Sequence, residues 1–169
     1  ALISHKADIR DLHIRKVGVF VNADFDQVLK AIEDYGLYAI QLHGDETDEY
    51  CLELTGRAKI IKAIKISGEE DINGLIALFE HTCDYLLFDT QTTQYGGSGK
   101  QFDWQLLKDA SISKPFFLSG GIGPEDVVQV NSFYHPFHYA IDVNSRFETE
   151  PGIKDLKKVQ QFQKLVQHG

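Results

Sequence analysis

Five apolar runs of this 169-residue chain end on a polar residue able to do chemistry: Asn22, His43, Asp89, Ser119 and Asp142. In parallel α/β folds, ligands bind at the carboxyl ends of the strands. Polar groups recurring at that one place therefore point to a shared site. Asp89 closes an apolar run and opens a Gly-rich loop. A carboxyl partly withdrawn from water there tends to keep its proton, which suits a general acid. His43 has three readings open to it: base, ligand, or hydrogen-bonded structural residue. Asp142 is followed by Asn144 and Ser145, further polar groups at the same strand end. The plain alternative for each position is a turn-forming or loop-anchoring polar residue.

The sharpest local signal is Gly120-Gly121-Ile122-Gly123-Pro124. Two adjacent glycines let a backbone approach a ligand closely, and Pro124 suits the first residue of a helix. Free N–H groups at such a helix start can hold a phosphate without Lys or Arg. A tight strand–helix turn is the plainer reading. The motif is not a dinucleotide fingerprint, because Asp126 stands where the third glycine belongs. Gly96-Gly97-Ser98-Gly99-Lys100 is not a P-loop either, since Gln101 replaces the Ser/Thr and Gln94 the first glycine.

These positions need a frame, and the frame is a repeated strand-then-helix rhythm. Apolar runs place strands near residues 17–22, 38–43, 59–65, 84–89, 115–119 and 138–143. Val17 to Val21 is nearly all apolar, which fits a parallel strand buried on both faces. Helical spacing follows each run. Asp24 with Gln27 reads as a capping box, and Gly36 as a helix stop. Further helices are expected over 45–54, 69–79, from about 103, from Pro124, and over about 154–166. Alternating β and α with no antiparallel hairpin signal means a parallel sheet, either a doubly wound open sheet or a (β/α)₈ barrel. Nothing divides the chain, so residues 1–169 read as one domain.

Composition excludes much else. Hydrophobic residues are 43% and charged residues 25% of the chain, a globular profile. A formal net charge of -8 argues against a broad nucleic-acid or anionic-membrane surface. No apolar stretch approaches the roughly 18 residues of a membrane span. Cys51 and Cys83 stand apart, no Cys/His group has zinc spacing, and residues 1–6 do not read as a signal peptide; a cytoplasmic protein without a metal is expected. The chain contains no Met, so a start inside a longer natural protein is expected. Cys51 and Trp104 read as core residues, Cys83 as lying opposite the chemistry, and Lys154, Lys157 and Lys158 as a solvated helix face.

The ordered motifs are more specific than any one of them. Val17 to Asn22, Gln41-Leu42-His43-Gly44-Asp45-Glu46, Phe88-Asp89-Thr90 through Tyr95–Lys100 to Phe102-Asp103-Trp104, Leu118 to Ile122, Asp142 to Ser145, and Pro151 to Asp155 together resemble the phosphoribosylanthranilate isomerase family of tryptophan biosynthesis. The resemblance implies a (β/α)₈ barrel, an Amadori rearrangement of a phosphorylated small molecule, no cofactor, and a monomer or homodimer. It implies Asp89 as the general acid that opens the ribose ring. It places Gly120, Gly121, Asn144 and Ser145 on the phosphate-binding loops, and His43 and Asp142 in the substrate pocket. The family's first strand carries a Lys-x-Cys-Gly motif whose Cys is the base, and a later loop carries a carboxylate-binding Arg. Neither is matched here, and residues 1–15 resemble the helix before the third family strand. About six of eight βα units are then expected, an N-terminally incomplete barrel inactive by itself. The competing reading is a catalytically inactive fragment that binds a phosphorylated ligand. Another phosphate-binding barrel enzyme of the same pathway fits the 41–46 and 89–104 stretches less well.

Overall fold

Six strands hydrogen-bond in the order of their sequence in the computed structural model, which describes residues 13–68, 70–90 and 101–166. They are β1 (Val17–Phe20), β2 (Ala39–Leu42), β3 (Lys59–Ile66), β4 (Tyr85–Thr90), β5 (Phe116–Leu118) and β6 (His138–Ile141). All five pairings are parallel, as the six apolar runs predict. A doubly wound sheet reverses its strand order at a switch point. This sheet never reverses, so every crossover advances the same way, which is barrel order.

That order separates two layers. The main core fills the space between sheet and helices, with Ile40, Leu42, Ile60, Leu86, Phe88 and Phe116 from the strands and Val28, Cys51, Ile76 and Phe162 from the helices. The opposite, inner face holds a smaller cluster of Ala39, Ile61, Ala63 and Leu87, flanked by Tyr85 and Phe117. Side chains alternate between faces along a strand, so residues two apart share a layer.

The helices are α1 (Phe25–Tyr35), α2 (Asp48–Glu53), α3 (Ile72–Phe79), α4 (Val127–Ser132) and α5 (Leu156–Leu165). Gly36 ends α1 at φ +58°, as expected of a stop residue. Asp24 occupies the α1 N-cap position, but its side chain makes no capping bond. α2 starts at Asp48 rather than at 45, capped by Thr47, because the preceding loop is committed to other bonds. Only a single 3₁₀ turn, Trp104–Leu107, follows Asp103.

Two further expectations are corrected. Val17, Val19 and Val21 are 45%, 60% and 49% exposed, so β1 is not buried on both faces. Val17 and Val19 are in register with Ala39 and Gln41 on the inner face, and β1 pairs with β2 alone among the described residues. A small antiparallel pair, β7 (Glu148–Glu150) with β8 (Ile153–Lys154), also went unanticipated. Pro151-Gly152 turns it, with Gly152 at φ +82° as a type II turn requires. Cys51 and Trp104 are buried as expected, and Cys83, which precedes β4, is buried as well. No helix of the described residues is long and apolar enough to cross a membrane. The readings of residues 1–12 and of Gly96–Lys100 lie outside the described residues.

One buried ion pair ties the loops after β1 and β2 to the middle of β3. Lys62 on β3 and Glu46 after β2 are each 3% exposed, with Nζ 3.0 Å from Oε2. Lys62 also donates to the Gly44 carbonyl at 2.9 Å. Glu46 accepts from the N–H groups of Asn22 at 2.8 Å and Gly44 at 2.9 Å. Burial pushes the Glu46 carboxyl up, but the Asn22 N–H and Lys62 outweigh it and leave it below the usual range. Its stabilisation is therefore full above the unfolded Glu value and lost as pH falls through the lowered folded value. Lys62→Met should cost about 3–5 kcal/mol in urea unfolding near neutral pH, because it strands a buried carboxylate. Adding Glu46→Gln should recover part of that loss, and the gap between Lys62→Met and the double variant should narrow in acid.

Candidate active site

β2 delivers two inner-face side chains to one strand end, Gln41 on the strand and His43 just beyond it. β4 delivers Asp89, β5 leads into Ser119-Gly120-Gly121, and β6 leads into Asp142-Val143-Asn144-Ser145. His43 Nε2 lies 2.8 Å from Asp89 Oδ2, across the intervening end of β3. Gln41 Nε2 lies 2.7 Å from His43 Nδ1. The other Asp89 oxygen accepts from the Thr90 N–H at 2.9 Å. His43 and Asp89 remain 23% and 22% exposed, enough for a ligand to reach them.

Ser119 Oγ donates to Asp142 Oδ2 at 3.0 Å. Burial raises the Asp142 carboxyl and the nearby Asp89 charge adds to the effect; the Ser119 hydroxyl, His43 and Lys154 oppose it. The strand ends thus hold a His–Asp pair and a Ser–Asp pair side by side. Asn22 does not join them. It turns at φ +50°, and its Oδ1 accepts from the Asp45 N–H at 2.7 Å, bracing the loop.

Gly120 and Gly121 have φ +90° and +65°. A Cβ on Gly120 would stand 2.3 Å from Thr90 Oγ1 and 2.6 Å from Thr90 N. Glycine is needed there because the β5 loop packs directly against the Asp89–Thr90 backbone. The helix expected from Pro124 begins there. Pro124–Asp126 is one 3₁₀ turn before α4, and Asp126 Oδ2 takes the Gly123 N–H at 2.7 Å. The N–H groups of Gly121 and Ser145 have no hydrogen-bond partner among the described residues. The two loops touch, since a Cβ on Gly123 would meet Arg146 Nε at 2.8 Å, and Arg146 pairs with Glu125.

Lys154 was misread as part of a solvated helix face. It sits in β8, where it bonds to Asn144 Oδ1 and to Glu148. The Pro151-Gly152 turn was the signal that could have found it, because it folds Lys154 back onto the Asn144 loop. Gln41 also went unrecognised as a site residue. Burial pushes the Cys51 thiol up to about 11 and the Cys83 thiol up to about 12, so neither is a thiolate near neutrality. No group of three or more His, Cys, Asp or Glu side chains gathers to hold a metal among the described residues.

Residues 3–165 match the N-(5'-phosphoribosyl)anthranilate isomerase family. This chain belongs to that family. It is 43% identical over 162 residues to the isomerase of Parabacteroides distasonis, covering 95% of this chain and 73% of that protein. The crystal structure of the Thermotoga maritima isomerase aligns at TM-score 0.79 and 34% identity, over 95% of this chain and 76% of the other. A family structure in complex with reduced 1-(o-carboxyphenylamino)-1-deoxyribulose 5-phosphate aligns at TM-score 0.75 and 31% identity, over 96% and 79% of the two chains. The chain thus spans about three quarters of the length of these isomerases.

Gly120 and Gly56 offer a controlled comparison. Both have positive φ, but a Cβ on Gly56 meets nothing within 4 Å. Gly56→Ala should cost about 1 kcal/mol for backbone strain alone, and Gly120→Ala clearly more, about 2–3 kcal/mol, because Thr90 must also move. Urea unfolding of both variants checks the difference.

Proposed function

We propose that this chain carries out its family's reaction, the Amadori rearrangement of N-(5'-phosphoribosyl)anthranilate to 1-(2-carboxyphenylamino)-1-deoxyribulose 5-phosphate. The observation that carries the assignment of roles is the Asp89 carboxyl, held at a strand end by His43 and Thr90 and still reachable from solvent. In this reading Asp89 is the general acid. The bond between C1 and the ring oxygen breaks, its electron pair stays on that oxygen, and Asp89 supplies the proton. The anilinic nitrogen lone pair forms the C=N bond at C1. Removal of the C2 proton then gives an enolamine, which becomes the ketone as C1 is protonated and the C2 hydroxyl loses its proton.

The phosphate is assigned to Gly120, Gly121, Asn144 and Ser145. Support comes from the contact between the two loops and from the unengaged N–H groups of Gly121 and Ser145. His43 and Asp142 line the sugar between acid and phosphate. Two separate free cysteines support a reducing, cytoplasmic setting. The uninterrupted strand order supports a single barrel domain.

The base is assigned outside these residues. Both thiols are buried and protonated, and both ring nitrogens of His43 are occupied. The 169 residues by themselves therefore bind substrate without turning it over. Fluorescence turnover of phosphoribosylanthranilate tests this with three proteins: the full-length protein, its Asp89→Asn variant, and this chain alone. Asp89→Asn should keep substrate binding and lose a factor on the order of 10²–10⁴ in rate. This chain alone should show none. Near-normal rates in the variant would remove Asp89 from its role, and turnover by this chain would place the base within it. Gly121→Val should weaken binding of a phosphorylated ligand at least tenfold by calorimetry, and an unchanged affinity would move the phosphate elsewhere.

A further inference from the structure

We propose that Gln41 is a positioning residue whose side-chain amide sets the proton state of Asp89 through His43. The proposal rests on Asp89 being the acid. Its ground is a continuous side-chain chain at the inner strand ends: Gln41 amide, His43 ring, Asp89 carboxyl, with contacts of 2.7 and 2.8 Å. Gln41 is 9% exposed. A polar side chain buried that deeply needs a partner, and the His43 ring is the one it has.

A neutral imidazole carries one N–H, so its two nitrogens always play opposite roles. When Nδ1 bears the proton, Nε2 is a bare acceptor, and Asp89 must be the protonated acid to donate to it. When Nε2 bears the proton, it donates to an Asp89 carboxylate, and Nδ1 needs a donor behind it. The first arrangement is Asp89 before it protonates the ring oxygen, and the second is Asp89 afterwards. A glutamine amide offers a carbonyl oxygen to an Nδ1–H or an NH₂ to a bare Nδ1, by rotation about one bond. Gln41 thereby serves both states of the catalytic cycle. In the structure it is the amide Nε2 that faces Nδ1. A glutamate at this position accepts only. It would favour a ring protonated on both nitrogens and hold Asp89 as the carboxylate. Among the described residues, Asp142 after β6 is a charged neighbour of Asp89, as is Lys65, its register partner on β3, which is turned toward Asp45 at 3.7 Å.

The experiment uses the full-length protein and four variants: Gln41→Met, Gln41→Glu, His43→Asn, and Gln41→Met with His43→Asn. Gln41→Met should lower kcat about 10- to 100-fold with KM and Tm close to normal, the scale expected when a reacting group loses its alignment. Gln41→Glu should lower kcat at least as far, and ring ¹⁵N chemical shifts of His43 should move to those of a doubly protonated imidazole. In the His43→Asn background, Gln41→Met should have no further effect on kcat. A normal kcat in Gln41→Glu, or an equal loss from Gln41→Met with and without His43, would overturn the proposal. Asp89→Asn serves as the control. If that variant remains active, the reading of Asp89 as the acid has failed. If it is inactive while the Gln41 variants are normal, the role of Gln41 alone has failed.

Discussion

The buried Glu46–Lys62 pair is the constraint on which the site's geometry depends. Two charges at 3% exposure are tolerable only when their remaining hydrogen-bonding capacity is met. Here it is met by backbone. Glu46 accepts from the N–H groups of Asn22 and Gly44, and Lys62 donates to the Gly44 carbonyl. The loops after β1 and β2 are thereby drawn onto the middle of β3. His43 precedes Gly44 directly, so the residue that faces Asp89 is anchored on its C-terminal side by a glycine bonded at both its N–H and its carbonyl. Gln41 steadies the ring from the other side.

The opposite wall of the site is built by close approach instead of charge. Gly120 lies so near Thr90 that no side chain fits between them. This contact holds the loop after β5 against Asp89, and the Arg146–Glu125 pair holds the loop after β6 against that one. Ser119 and Asp142 close the gap with a hydrogen bond. Burial leaves Asp142 inclined to keep its proton, while Asp89 stays open to solvent and bonded to His43. Two aspartates at neighbouring strand ends are thus placed in different surroundings, which lets them do different work.

Much of this fold was legible in the residues. The six apolar runs, rich in Val, Ile, Leu and Phe, marked six strands whose described limits differ by no more than a few residues. Gly36 marked a helix end, and His43, Asp89 and Asp142 were visible as polar groups at strand ends. The misreadings share a cause. Val17 and Val19 look like core residues, but their burial depends on what covers the inner face. Lys154 looks like a helix-face lysine until the Pro151-Gly152 turn is placed in three dimensions.

By itself the sequence determined the alternation of strand and helix, the parallel sheet, and the polar residues at the strand ends, because these follow from local periodicity and turn chemistry. The tertiary structure decided between a doubly wound sheet and barrel order, because strand neighbours depend on how each crossover packs. It also decided which polar groups meet. Glu46 finds Lys62 16 residues away, His43 finds Asp89 46 away, and Ser119 finds Asp142 23 away. Spacing in the chain cannot specify such pairs. Strand register and the alternation of faces bring them within hydrogen-bond distance, and only then does a histidine among many become the partner of one particular aspartate.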